Sequence, residues 1–279
     1  MDMKTILRLF FKLRIALPQD HGSWVFLFSP LLIGMFTGGY WRAGTGPLMI
    51  AAMAAFLIRQ PVTVAVKVIS GRRPRTELPA ALFWGIVYAS LGLIMLAWLV
   101  MLGWGYLLIL ALPGLPVFAW HLLLVSRRAE RRQIGVEVVG SGVLALAAPA
   151  AYWVGRGQSD PMGWGLFALA WFQSAASIVY AYLRLQQREL KEIPSLPDRL
   201  RLGRRALLYT SFNLAVVSGL SLAGVLPVFL PLPYALQWIE TVWGSLTPAI
   251  GWKPTRVGIR QLVVSTLFTI LFILAYFIH

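Results

Sequence analysis

Residues 79–103 decide the fold class of this chain: PAALFWGIVYASLGLIMLAWLVMLG. The stretch holds 25 residues without one charged side chain. A helix needs about 20 predominantly apolar residues to cross the hydrocarbon core of a bilayer. This segment therefore predicts a transmembrane helix. Apolar runs of similar length before and after it predict an all-α integral membrane protein that crosses the bilayer several times.

The composition agrees with that fold class. Hydrophobic residues make up 58% of the 279 residues, and charged residues make up 13%. A soluble protein carries about 25% charged residues, so this chain has too few to cover a surface that faces water. The chain has no cysteine, which excludes disulfides, thiolate catalysis and Cys-ligated metals.

Nine apolar segments predict about nine transmembrane helices. They cover residues 23–41, 46–70, 79–103, 105–125, 134–154, 162–185, 206–230, 231–251 and 259–278. The eighth segment is the weakest because it contains Gln237, Glu240 and several prolines, and we assign no function to Glu240. We expect residues 23–279 to form one polytopic domain. Residues 1–22 precede it as an amphipathic cytoplasmic segment, because Met1 to Arg14 alternate apolar and basic residues.

Charge along the chain predicts the orientation. Twenty-five Lys and Arg face ten Asp and Glu, for a net charge of +15. The basic residues concentrate in every second connection between the segments, and cytoplasmic loops are the ones that carry excess Lys and Arg. We therefore expect a bacterial-type inner membrane, with the N-terminus in the cytoplasm and the C-terminus outside. Cytoplasmic loops account for the basic charge, so we do not expect a nucleic-acid partner.

Polar side chains at membrane depth are the candidate ligand-binding groups, because ionisable residues inside a span usually face a cavity or a partner. Helix 6 of the prediction carries a polar stripe that includes Ser177, Tyr180 and Arg184 at helical spacing. Helix 2 carries Arg59 and Lys67. The full candidate set is Arg59, Lys67, Arg72, Arg73, Glu137, Ser177, Tyr180, Arg184 and His21.

A structural role is an open alternative for several of these residues. Lys67 and Arg184 can extend to the anionic lipid surface. Arg59 lies deeper, roughly 16 Å from the cytoplasmic end of its helix, which favours a paired or cavity-facing position. Glu137 can serve as a counter-ion, and His21 can be an interfacial hydrogen-bonding group. No nucleotide motif and no metal-ligand spacing occurs, so we expect neither a cofactor nor a metal.

The opening of the first apolar segment resembles the YwiC-like family of membrane proteins. Residues 18–24, PQDHGSW, are similar to that family's Pro-x-x-His-Gly-Ala-Trp start. Residues 127–132, RRAERR, with the later Glu137 and residues 150–153, AAYW, resemble its middle segment, and so do residues 180–184, YAYLR. The resemblance covers most of the first 190 residues. It implies a family relationship, and that family has no settled biochemical activity.

The predicted architecture also resembles the UbiA superfamily of intramembrane prenyltransferases, which has nine helices and long basic loops after helices 2 and 6. That superfamily binds Mg²⁺ through Asp-rich motifs on these two helices. This sequence has Arg59, Thr63 and Lys67 at the first position, and no carboxylate from Ser177 to Arg188 at the second. Since Mg²⁺ requires oxygen ligands, commonly carboxylates, Mg²⁺-dependent prenyl transfer is not expected.

Three functions are consistent with these residues. The first is a basic, cytoplasm-facing cavity that binds an anionic or isoprenoid lipid, or a quinone-like ligand, without Mg²⁺. The second, ranked close to it, is an accessory or assembly subunit of a respiratory or photosynthetic membrane complex, or a small transporter with an anionic cargo. The third is a divergent prenyltransferase-like enzyme, with acid-base groups among His21, Glu137, Tyr180 and Tyr182.

Overall fold

A computed structural model describes residues 10–18, 21–129 and 133–278 of the chain, and these residues form helices joined by short connections. The α-helices are α1 (Leu13–Ala16), α2 (Val25–Thr37), α3 (Thr45–Ile69), α4 (Leu78–Met101), α5 (Ala111–Ser126), α6 (Ile134–Ala145), α7 (Ala147–Arg156), α8 (Pro161–Gln187), α9 (Leu196–Leu222), α10 (Pro231–Leu246) and α11 (Pro254–Phe277). Short 3₁₀ helices cover His21–Trp24, Arg75–Glu77 and Gly105–Leu110. The described part of the chain contains no strand, and the all-α class is confirmed.

Each apolar segment of the sequence corresponds to helical structure, with local differences. The fifth segment is broken: α6 ends at Ala145 and α7 begins at Ala147, with Pro149 in its first turn. Proline has no backbone N–H, so Pro149 removes one helical hydrogen bond next to the break. Proline alone does not break a helix here, because Pro30, Pro61 and Pro116 lie inside continuous helices.

Six helical stretches in the described ranges are long and apolar enough to cross a bilayer. They are Thr45–Ile69, Arg75–Met101, Gly105–Ser126, Ile134–Arg156, Pro161–Gln187 and Pro254–Phe277. Helix α2 has 13 residues, fewer than the about 20 that a bilayer requires, and α9 begins in a basic stretch. The predicted number of nine crossings, and the division at residue 22, stay predictions. Residues 1–9, 19 and 20 of the predicted amphipathic segment lie outside the described residues.

Helix α8 is the centre of the bundle. It packs against α2, α6, α7, α9, α10 and α11, whereas α3 packs mainly along α4. The sequence starts α8 firmly, since the Asp160 carboxylate accepts the backbone N–H of Met162 at 2.7 Å and Pro161 occupies the first turn. Because six helices pack around α8, most of it is buried inside the bundle.

A close helix crossing joins α2 to α7. A Cβ atom on Gly34 would lie 2.1 Å from the carbonyl oxygen of Ala148, and one on Gly38 would lie 3.0 Å from that of Tyr152. Gly155 faces Gly38 across the same crossing. Small residues let two backbones approach closely, and this is a common device of helix packing in membranes.

The basic connections gather at one end of the bundle. Tyr182, near the end of α8, bonds to Glu137, near the start of α6, and Arg188 bonds to the carbonyl of Trp252 just before α11. At the opposite end, Arg42 bonds to the carbonyl of Gly155. We refer to the first as the basic end. Arg14 lies there, bonded to Glu77, while Phe277 near the other terminus contacts Phe36 at the opposite end.

Candidate functional site

Arg184 is a charged side chain held inside the bundle. It is 1% exposed, near the last turn of α8. Its Nη1 atom donates to the carbonyl oxygens of Gly244 and Thr247, both at 2.7 Å, and to Oε1 of Gln187 at 2.8 Å. Those two carbonyls belong to the C-terminal end of α10, which carries partial negative charge. Arg184 therefore stabilises that helix end from the neighbouring helix.

Two tryptophans and two further arginines surround Arg184. Its guanidinium carbon lies 4.7 Å from the ring centroid of Trp252 and 5.2 Å from that of Trp243. Arg256 lies over Trp252 at 4.1 Å, and Arg260 lies over Trp243 at 3.8 Å. A guanidinium over an aromatic face is attracted by the ring quadrupole. We name these five residues the arginine–tryptophan cluster.

Glu240 is the carboxylate that orders this cluster. It is 7% exposed on α10, and it receives Nε and Nη2 of Arg260 at 2.5 and 2.7 Å. The hydroxyl of Tyr180 donates to the same carboxylate at 2.8 Å. A bidentate pair of this kind fixes the plane of the guanidinium. Gly244 makes room for this arrangement, because a Cβ atom there would lie 2.1 Å from the Tyr180 hydroxyl oxygen.

Arginines also hold the connection that follows α10. Arg188 Nε donates to the carbonyl of Trp252 at 2.9 Å, and Arg199 Nη1 donates to that of Leu246 at 2.7 Å. Two buried arginine donors make no hydrogen bond within the described residues. They are Nη2 of Arg184 and Nε of Arg199. A buried N–H without an acceptor is costly, so both atoms would be stabilised by an anionic oxygen nearby.

A groove of about 560 Å³ opens beside the cluster at the basic end. It is lined by Gly251, Trp252, Lys253, Thr255, Arg256, Ile259 and Arg260. Three of these residues are cationic, and Glu240 neutralises one of them. The groove therefore keeps an excess of positive charge next to an aromatic wall. This combination suits an anion with an apolar portion better than a cation or a neutral sugar.

Part of the predicted ligand set lies at this site. Ser177, Tyr180 and Arg184 are all buried on one face of α8, as their spacing predicts. Ser177 accepts Nε2 of Gln173 at 3.1 Å and Nε2 of Gln237 at 2.9 Å, one turn deeper than Tyr180. These three residues belong to one connected region of the protein.

The predicted cations of the second segment lie elsewhere. Arg59 lies over the ring of Phe56 at 5.6 Å, and Phe56 in turn contacts Trp24 at the start of α2. Arg73 pairs with Glu77 at 2.9 Å, and Arg14 pairs with the same carboxylate at 2.6 Å. Lys67 and Arg72 are half-buried at the same end of α3 and in the turn after it. The described contacts do not join this group to Arg184.

Glu137 and His21 are also separate from the cluster. Glu137 is exposed on α6 and accepts the hydroxyl of Tyr182 at 2.6 Å. Tyr182 follows Tyr180 by two residues, about 200° around the helix, so it faces away from Arg184. His21 begins the 3₁₀ helix His21–Trp24, and its side chain lies outside the described part of the structure.

Several residues of the site were not singled out by sequence reasoning: Glu240, Trp243, Trp252, Arg256 and Arg260. Arg256 and Arg260 belong to the basic connections that predict the orientation, and the sequence assigns no function to Glu240. The spacing from Trp252 to Arg256 and Arg260, at helical intervals of four, was the available signal. No three His, Cys, Asp or Glu side chains come together as a possible metal site in the described ranges.

The fold and its apolar helices define a polytopic helical membrane protein. Over residues 17–152, just under half of the chain, the sequence matches the family model described as YwiC-like protein. It is also 26% identical over 157 residues to a Bacillus subtilis (strain 168) protein named "Uncharacterized protein YwiC". That alignment covers 56% of this chain and 61% of the relative, so the chain spans less than two thirds of the relative's length. No solved structure matches the chain.

These comparisons divide the molecule. The match to the family model covers α2 to the middle of α7, whereas the arginine–tryptophan cluster and its groove lie between residues 180 and 260. The YwiC-like resemblance read from the sequence is therefore supported in the N-terminal half. The arginine–tryptophan cluster has to be interpreted from its own geometry.

Proposed function

We propose that this protein binds the anionic head group of a membrane lipid at the arginine–tryptophan cluster, without a metal ion. The observation that carries the proposal is the cationic groove lined by Trp252, Lys253, Arg256 and Arg260. Arg184 lies behind its Trp252 wall, and the Nη2 atom of Arg184 makes no hydrogen bond with a described residue. Phosphate and carboxylate oxygens form strong charge-assisted bonds with guanidinium groups. A head group in the groove would meet Lys253 and Arg256 first.

The surface next to the groove favours an amphiphile over a soluble anion. Ile259 lines the groove and is exposed, and Leu262 and Val263 continue the exposed apolar surface one turn along α11. A lipid with its head group at Arg256 would lay its chain along this face. An isoprenoid or quinone-like chain fits the same description, since the contacts on α11 are apolar and carry no further chemical requirement.

The proposal includes the position of the groove in the cell. Basic connections gather at the end where the groove opens, and Lys and Arg are concentrated in cytoplasmic loops. We therefore assign the groove to the cytoplasmic face of the inner membrane. A UbiA-type architecture is part of the same proposal. What supports it is the long basic connection after α8, which leads from Arg188 to the arginines at the start of α9.

Native mass spectrometry of the purified full-length protein tests the proposal. The variant Lys253→Gln with Arg256→Gln removes two groove cations and leaves the buried Arg184 intact. We expect the fraction of protein that carries an anionic phospholipid to fall about tenfold, which corresponds to about 1.4 kcal/mol in binding. The matched control is Arg75→Gln with Arg127→Gln, which removes the same charge from exposed residues outside the groove.

A third variant locates the site. Arg59→Ala with Lys67→Ala removes two cations of α3 that the sequence had placed in the same pocket. We expect this variant to keep its bound lipid. Equal lipid occupancy in all variants would contradict the proposal. Loss in the Arg59 and Lys67 variant alone would move the site from the cluster to α3.

A further inference from the structure

Buried polar side chains continue from the cluster into the middle of the bundle. They come from α2, α8, α10 and α11, in helices that otherwise bury apolar residues. The line of residues, which we name the polar seam, consists of Glu240, Tyr180, Ser177, Gln237, Gln173, Ser265, Thr269 and Ser29. All of them are buried, so none owes its position to contact with water at the surface.

Hydrogen bonds connect the seam near the basic end. Tyr180 donates to Glu240 at 2.8 Å. One turn further along both helices, Gln237 Nε2 donates to the Ser177 hydroxyl at 2.9 Å and to the Gln173 carbonyl at 3.0 Å. The two bonds repeat the same α8–α10 pairing at successive turns. Polar contacts therefore cross this interface at two depths.

The seam then passes to α11 and α2. Gln173 Nε2 lies 3.3 Å from the hydroxyl of Ser265, and the Thr269 hydroxyl donates to the carbonyl of Ser265 at 2.8 Å. The hydroxyls of Thr269 and Ser29 lie 2.6 Å apart. Ser29 belongs to α2, whose far end reaches the opposite end of the bundle. The polar line thus extends past the middle of α8.

Tyrosines continue the line toward the opposite end. Tyr276 follows Thr269 by seven residues, two turns along the same face of α11. Tyr276 packs against the same buried core as Tyr152 of α7, the helix that ends at Arg156. Polar groups are therefore present at successive depths from Arg260 at one end to Asp160 at the other.

Two atoms on this line make no hydrogen bond with any described residue. They are Oε1 of Gln237, a residue that is 5% exposed, and the hydroxyl oxygen of Tyr276. The orientation of the Gln237 amide is fixed, because its Nε2 atom donates to a carbonyl that can only accept. A buried acceptor without a donor costs free energy, more so inside a membrane, and a water molecule is the common partner of such groups.

We propose that the polar seam binds water and conducts protons between the two ends of the bundle. A proton enters from the groove beside Glu240 and passes along hydrogen-bonded water and hydroxyl groups. Each group gains one proton as it gives up another, and one proton leaves near Asp160. The net event moves one H⁺ without oxidation or reduction. This activity does not rest on lipid binding, because the seam lies inside the bundle and the groove lies at its surface.

A structural role for the seam makes a different prediction. Side-chain hydrogen bonds between helices also hold membrane proteins together. A hydroxyl without a partner contributes no such bond. Tyr276→Phe removes only that hydroxyl oxygen, so it separates the two roles: stability alone predicts no effect, and conduction predicts a slower flux.

The test uses the full chain in liposomes of neutral phosphatidylcholine that contain a pH-sensitive dye. A potassium gradient with valinomycin drives protons inward, and the rate of internal acidification is measured. We expect acidification to be faster in liposomes that contain the wild-type protein than in protein-free liposomes. Tyr276→Phe and Gln237→Leu should each slow the protein-dependent rate by about tenfold, the effect of about 1.4 kcal/mol on a barrier.

The matched control is Tyr88→Phe, which removes a buried hydroxyl on α4 that donates to the carbonyl of Ala16, far from the seam. Its flux should equal that of the wild type. Gln237→Leu can also disturb packing, so thermal unfolding in detergent is measured for each variant, and Tyr276→Phe should unfold like the wild type. A wild-type rate equal to that of empty liposomes would overturn the proposal. A Tyr276→Phe rate equal to the wild type would do the same.

Discussion

The two halves of the bundle bury different kinds of side chain. In the stretch Gly105–Ser126, 11% of the most apolar 18 consecutive residues are buried inside the protein, against 67% in α8. The first stretch faces its surroundings with Leu, Ile and Trp, while α8 buries Gln173, Ser177 and Arg184. Of these two stretches, the more buried one is also the more polar. The difference teaches that a helix surrounded by other helices can bury polar side chains that a helix at the edge of the bundle does not carry.

The largest expected effect concerns the buried cation of the C-terminal half. Arg184→Met leaves the carbonyl of Thr247 without its buried donor, so the free energy of unfolding should fall by about 2–4 kcal/mol. Unfolding by sodium dodecyl sulfate in mixed micelles measures it. Arg127→Met, an exposed arginine at the same end, should change stability by less than about 0.5 kcal/mol. Similar losses in the two variants would remove the contrast between buried and exposed cations.

A smaller effect tests how the N-terminal half is held together. Gly34→Ala places a Cβ atom against the backbone carbonyl of Ala148, which cannot rotate away, so α2 and α7 must separate. Overpacking of this kind costs about 1–3 kcal/mol, measured by the same unfolding assay. Gly85→Ala on α4 is the control, because a Cβ atom there meets no other atom within 4 Å. A Gly34→Ala protein as stable as Gly85→Ala would show that this crossing is not tightly packed.

The smallest effect compares two carboxylates. A double-mutant cycle with Tyr180→Phe and Glu240→Gln measures the coupling of a buried pair, which we expect at about 1 kcal/mol. The same cycle with Arg73→Gln and Glu77→Gln measures a pair whose arginine is 37% exposed, and water should reduce that coupling to about 0.3–0.5 kcal/mol. Equal coupling energies would mean that burial does not distinguish the two halves.

Sequence reasoning identified the helices because apolar length is a local property. The run from residue 79 to residue 103 can be recognised without any neighbour, and α4 occupies Leu78–Met101. Helical spacing likewise placed Ser177, Tyr180 and Arg184 on one buried face. The same spacing places Tyr182 and Tyr180 on different faces of α8, although the sequence hypothesis lists both as acid-base candidates.

The rest of the site depends on contacts that no local pattern contains. Arg184 meets Trp252 from 68 positions away, and Glu240 meets Arg260 across a loop and a turn of α11. A net-charge rule counts Arg260 as a free cation, whereas its guanidinium is already paired with Glu240. Hydropathy also makes the segment that holds Glu240 the weakest predicted span, because the polar residues that build the site lower its mean hydropathy.

The glycine crossing between α2 and α7 has a consequence for the order of assembly. Ala148 is made about 110 residues after Gly34, and at about 5–20 residues per second that interval is on the order of 5 to 20 s. Helix α2 lacks its α7 partner during that interval, and with 13 residues it is shorter than the about 20 that a bilayer requires. We therefore expect α2 to reach its final position only after α7 has been made. The shortness of α2 therefore matters more during insertion into the membrane than in the folded protein.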